Sequence, residues 1–174
     1  MVFICTDYTL QDRIRELEAL SNQKEQMYRM LKIYLDLFPA MDSYLFRYSP
    51  LENLGEGIIS LTSFGFANIG EIRDDVQTLP LIYAAIRERK AQYSFGEEYF
   101  MKHASCKYAA RFSMNSLAVT PICFDRFVIA YICTTEFAKG TNVDEQLLFS
   151  LTMFGKLAGK VFDNTIHTEE NASL

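Results

Sequence analysis

The sequence predicts an α+β domain: a central antiparallel β-sheet of about five to six strands, with N- and C-terminal helices on one face and two helices plus loops on the other. Three observations carry that prediction. Two apolar runs rich in β-branched and aromatic residues, 116–124 and 127–135, flank the charged pair Asp125-Arg126. That is the pattern of an antiparallel pair joined by a short turn. Residues 143–162 keep apolar positions at three- and four-residue steps behind the acidic start Asp144-Glu145, which predicts a closing helix. Finally, the periodicities run helix, strand, strand, helix, strand, helix, strand, strand, helix, an order that a layered sheet accommodates.

Each element has a local reason. Leu10, Ile14, Leu17, Met27, Leu31, Tyr34 and Phe38 share helical spacing over 9–38, with Thr9 or Asp7 placed to cap. Polar residues 21–24 weaken the stripe, so this segment is one helix with a polar joint or two helices, and Pro39 ends it. Ser43 to Tyr48 reads as a strand stopped by Ser49-Pro50. Residues 53–57 read as a turn and 57–66 as a second strand, with Gly57 and Gly65 marking a bulge. Asp74-Asp75 is placed to cap a helix over 78–90, with Pro80 in its first turn. Residues 91–95 suit a short strand, Gly96 punctuates, and 97–112 suits another helix.

Composition narrows the class. At 174 residues the chain suits one domain with an accessory helix, and 49% hydrophobic residues allow a substantial core. A net charge of −5 argues against direct binding to nucleic acid or an anionic membrane. No apolar run reaches the ~18 residues of a membrane span. The opening Met1-Val2-Phe3-Ile4-Cys5 lacks the basic flank of a signal peptide. Four cysteines without a Cys-x-x-Cys pair suit reduced thiols. A cytoplasmic protein is expected.

The Ser116-Leu117-x-x-x-Pro121 strand, the Asp125-Arg126 turn, the second strand and the acidic-capped last helix resemble the end of a GAF domain, a small-molecule-sensing module of signalling proteins. The resemblance extends over the order of elements and implies three parts: 1–23 as an N-terminal extension and helix, 24–164 as the sensor domain, and 165–174 as a polar tail or linker. It also implies a ligand between the sheet and the two middle helices. Phe64, Phe66, Tyr83, Tyr93, Phe95, Tyr99 and Phe100, with Tyr108 and Phe112, are the aromatic candidates, since such rings both enclose a ligand and orient it through polar tips. Core filling is the other reading of each. His103 lies in the same region, and strand alternation groups Ser116, Ala118 and Thr120 as a small, polar face with room beside it.

Other chemistries find less. His103 and Cys106 share a helix face, but a metal site needs about three or four ligands, so no metal and no cofactor is expected. Bilin-carrying members of the resembled family use Cys followed by His, whereas Cys106 is followed by Lys107. The cyclic-nucleotide signature finds Asp144-Glu145 in place, but Thr135-Glu136 where Asn-Lys is required. A methionine-sulfoxide reductase of this fold uses cysteines in glycine-rich loops, whereas Cys123 and Cys133 lie in apolar strands. Glu97-Glu98 and Glu169-Glu170 diverge on a helix and make no acid/base dyad. Arg87, Arg89 and Lys90 complement a helix C-terminus without needing an anion.

The terminal helices carry more apolar residues than one sheet face covers. Leu17, Leu20 and Met27 on the first and Leu151, Phe154 and Ala158 on the last suggest a homodimer interface. Gly155 and Gly159 fit close helix approach there, or tight packing on the sheet. The expected function is a non-catalytic ligand-sensing domain within a transcriptional or signalling regulator, with an output domain or partner protein receiving the signal through the helices. The alternatives are a thiol-based reductase using Cys106 and a dimerisation module without ligand.

Overall fold

The computed structural model describes residues 7–96 and 116–172. The segment of helical periodicity at the start forms two helices, α1 (Asp7–Glu18) and α2 (Gln23–Leu37). The break falls at the polar joint. The Asn22 side chain accepts from the Glu25 N–H at 3.2 Å and caps α2, while Gln26 donates to the carbonyls of Leu17 and Leu20 and fixes the corner. Helix α1 thereby folds back on α2 and on the final helix, α4 (Glu145–Ala172). Asp144 caps α4 by accepting from the Leu147 N–H at 2.9 Å.

The strands are β1 (Ser43–Ser49), β2 (Leu54–Thr62), β3 (Gly65–Asn68), β4 (Arg73–Asp75), β5 (Gln92–Phe95), β6 (Ser116–Phe124) and β7 (Phe127–Thr134). They form one sheet in the order β3-β2-β1-β7-β6-β5, with β4 also paired to β2, and every pair is antiparallel. Residues 57–66 are two strands rather than the one expected, because the chain reverses at Ser63-Phe64 into Gly65 at φ 93. The expected turn at 53–57 is mostly β2; only Asn53, at φ 53, turns. Asp75 caps a 3₁₀ turn (Val76–Thr78) ahead of α3 (Pro80–Glu88), and Pro80 sits at its start.

The sheet separates two cores. On one side α1, α2 and α4 bury Leu31, Tyr34, Leu45, Ile122, Ile132, Leu151 and Phe154. On the other, α3 and the loop before it cover Phe46, Leu117, Val119, Tyr131 and Cys133. Helix α4 rests on the backbone of β6. A Cβ added at Gly155 would lie 1.9 Å from the Pro121 carbonyl oxygen, and one at Gly159 1.8 Å from that of Cys123. The two glycines therefore serve contact with the sheet.

The residues expected at a dimer interface lie inside this chain or beside its helix corner. Leu17, Leu151, Phe154 and Ala158 lie in the terminal-helix core of a single chain, and Leu20 and Met27 are half-buried beside the α1–α2 corner. Apolar surface of α2 and α4 packs against α1, a segment of the same chain. Helix α4 also runs on to Ala172, through most of the stretch expected to be a polar linker.

Candidate functional site

Alternation along β1 turns Tyr44, Phe46 and Tyr48 to the α3 side of the sheet, where they join Tyr131 and Cys133 of β7 and Leu117 and Val119 of β6. Phe46 and Tyr131 stack with centroids 5.1 Å apart and planes 9° from parallel. Leu81, Ile82 and Ala85 of α3 form the opposite wall. The Tyr131 hydroxyl donates to Asp74 Oδ2 at 3.0 Å, and both groups are buried. Burial first, and the Asp74 charge second, hold this phenol well above its ordinary 10.0. Glycine at position 55 makes room, since a Cβ there would lie 1.9 Å from the Tyr131 hydroxyl. Tyr48 donates to Asn53 Oδ1 at 2.6 Å.

Near this face lies a polar cluster. Asp42 is buried and accepts from the Thr135 N–H at 2.7 Å, the Glu136 N–H at 3.3 Å and the Thr135 hydroxyl. Burial outweighs these bonds and raises the Asp42 carboxyl above its ordinary 3.8. Tyr44 is pushed up to about 12, by burial first and the Asp42 charge second. A carboxyl raised on folding contributes stability below its unfolded value and loses that contribution as pH rises through the folded value. The contribution of Asp42 therefore declines as pH climbs from 3.8 upward. In Asp42→Asn that decline is expected to vanish, because Asn keeps an acceptor for the two N–H groups and cannot ionise. Unfolding midpoints of both proteins across a pH series check it, and an unchanged slope would refute it. Ser94 pairs with Leu117 and so shares the α3 face; it is 4% exposed, and among the described residues its hydroxyl has no hydrogen-bond partner.

The residues expected to line a pocket are distributed differently. Ser116, Ala118 and Thr120 alternate together as expected, but the face is the terminal-helix one. The buried Thr120 hydroxyl lies beside Tyr34, whose own hydroxyl lies 2.9 Å from Thr134 Oγ1, and Ser116 donates to the Thr135 carbonyl. The room that these small residues leave lies beside the Tyr34 ring. Tyr93 and Phe95 pair with Ala118 and Ser116 and follow them to that face; Tyr93 meets Phe137 edge-on at 6.0 Å, and Phe95 is 73% exposed. Phe66, on edge strand β3, meets Tyr28 of α2 at 4.5 Å. Phe64 sits in the β2–β3 turn, 99% exposed, and Tyr83 lies on the outer side of α3 near Arg87. Tyr99, Phe100 and His103 lie outside the described residues, as do Cys106, Tyr108 and Phe112. The missed aromatics are Tyr44, Phe46, Tyr48 and Tyr131. Their signal was the Tyr-x-Phe-x-Tyr repeat of β1, which places three rings on one strand face.

Cys123 and Cys133 are buried and outside any disulfide. Burial raises the Cys123 thiol, with Lys156 and then Arg89 partly offsetting it. Among the described residues no group of three or more His, Cys, Asp or Glu could hold a metal, and no helix is long and apolar enough to cross a membrane.

Neither a protein-family model nor a curated protein matches the sequence. Solved structures do match the fold. A GAF domain from an Acinetobacter phosphoenolpyruvate-protein phosphotransferase shares 11% identity over 94% of this chain and 97% of its own, at a TM-score of 0.67. The free methionine-R-sulfoxide reductase of Neisseria meningitidis shares 11% over 97% of this chain and 98% of its own, also at 0.67. A bacteriophytochrome from R. palustris shares 9% over 95% of this chain and 40% of its own, again at 0.67. At these identities the likeness is one of architecture, and the architecture is that of GAF domains.

Proposed function

We propose that this chain, a domain of GAF fold, is a ligand-sensing regulatory domain without catalytic function, and that its ligand binds a small polar and aromatic area on the α3 side of the sheet. The observation that carries this reading is the buried, unpartnered Ser94 hydroxyl on the face that also carries Tyr44, Phe46 and Tyr131. A buried hydroxyl without a partner costs about 1–3 kcal/mol, and a ligand accepting or donating there would recover it. Similarity in fold to a GAF domain and to a bacteriophytochrome supports a regulatory reading.

Occupancy would reach α4 through the sheet. Strand β6 presents Leu117 and Val119 to the α3 side, while α4 rests on its carbonyls at Pro121 and Cys123. A ligand that prefers one pose of α3 over these strands would shift the pose of α4, and a preference of ~1–3 kcal/mol suffices. The homodimer that would relay this to an output domain, within a transcriptional or signalling regulator, must use the outward side of α4, where Phe149 is 62% exposed.

A thermal-shift screen of small metabolites tests the reading, since a ligand bound only to the folded state must raise the midpoint. Ser94→Ala is expected to stabilise the free protein by about 1 kcal/mol by removing the unpaired hydroxyl, and to shrink the ligand-induced shift. A library in which nothing raises the midpoint removes the sensor reading. Reduction of a sulfoxide or disulfide substrate that Cys106→Ser abolishes would replace it with the reductase.

A further inference from the structure

A second feature lies at the other end of α3. Between the β1–β2 turn, the C-terminus of α3 and the β6–β7 turn is a solvent-open hollow of about 240 Å³. Ile86, Phe127 and Val128 contribute apolar surface, and Arg87, Arg89 and Arg126 contribute charge. On a chain of net charge −5 these guanidiniums would be expected to find carboxylates. Among the described residues none does: the ion pairs involve Arg13, Arg15 and Arg73, and Glu88 accepts from Gln92.

The helix dipole accounts for Arg87 and Arg89 but not for Arg126, which arrives from a separate turn. Arg89 is held in place. It occupies the left-handed C-cap position at φ 54, where glycine is usual, and its Nη1 donates to the Arg126 carbonyl at 3.1 Å. Four of its five N–H donors stay available. Among the described residues, the Arg87 guanidinium meets the Tyr83 ring at 6.0 Å. Convergent guanidiniums over an apolar floor suit a ligand with both characters, because arginine forks match carboxylate and phosphate oxygens while the floor takes a compact apolar body.

We propose that this hollow is an anion-binding site, separate from the α3 face and independent of the ligand assigned there, for a small organic phosphate or carboxylate. Bound there, the anion would tie the end of α3 to the β6–β7 turn and to the β1–β2 turn at Pro50.

Phenyl phosphate is the probe, titrated into the full chain and followed by backbone amide NMR. Saturable shifts are expected at Arg87, Arg89, Arg126 and Phe127. Arg87→Gln and Arg126→Gln, both at exposed positions, should each weaken binding about tenfold, as loss of one charge-assisted hydrogen bond implies. Lys139→Gln, exposed and away from the hollow, should change nothing. Inorganic phosphate should bind more weakly than phenyl phosphate. The proposal is overturned by any of four results: no saturable shift, shifts confined to the Tyr44 and Ser94 region, equal weakening by Lys139→Gln, or inorganic phosphate binding as well as phenyl phosphate, which would mean an adventitious ion only.

Discussion

Gly155→Ala and Gly159→Ala are each expected to lower the unfolding free energy by about 3 kcal/mol or more. Two effects oppose each other here. Alanine in a helix interior is worth about 1 kcal/mol over glycine on propensity alone. Against that, the new Cβ would lie 1.9 Å from the Pro121 carbonyl oxygen in one case and 1.8 Å from that of Cys123 in the other. Those are backbone atoms of β6, held there by pairing with β7, and cannot rotate away as a side-chain tip could. Helix α4 must therefore lift off the sheet and loosen Leu151, Phe154 and Ala158 with it. Urea unfolding checks this through a fall in midpoint at constant slope. Gly140→Ala is the control: at φ 83 with open space around it, it carries only left-handed strain of about 1 kcal/mol. Stabilisation by either α4 substitution would show that the helix does not rest on the strand.

Phe154→Ala is expected to cost about 3–5 kcal/mol, the range for a large aromatic removed from a filled core. Phe154 is fully buried and meets Tyr34 at 5.3 Å and Phe38 at 5.7 Å, both tilted or edge-on. The loss should be the same at all protein concentrations, since the ring packs within one chain. A residue seated between two copies behaves otherwise: its removal changes a concentration-dependent midpoint. Denaturation across a range of protein concentrations separates the two cases, and a loss that disappears on dilution would restore the interface.

Most of the architecture was legible because it is written in short-range pattern. The β6–β7 hairpin, the acidic start of α4, Pro80 opening α3 and the polar joint between α1 and α2 are local choices of backbone conformation, and each falls where its residues put it. The reversal at Ser63-Phe64 was missed because it carries no Asn-Gly or Pro-Gly signal, only Gly65 after the turn.

The site was less legible, for a reason particular to sheets. Alternation groups Ser116, Ala118 and Thr120 together but does not say which layer they meet, and the group that met Tyr34 looked the same as one that would meet a ligand. The same ambiguity hid the repeat of Tyr44, Phe46 and Tyr48, which reads equally well as core or as pocket floor.

By itself, then, the sequence determined most of the described helices and strands and their α+β class, since these follow from periodicity and turn chemistry within a few residues, while the GAF type came from the resemblance of the 116–162 stretch to that family. Tertiary structure alone decided which face each strand presents, that α1 packs across α2 and α4, and that Arg126, Arg87 and Arg89 line one hollow. Those outcomes depend on contacts between residues far apart in the chain, and no local pattern encodes the partner across such a distance.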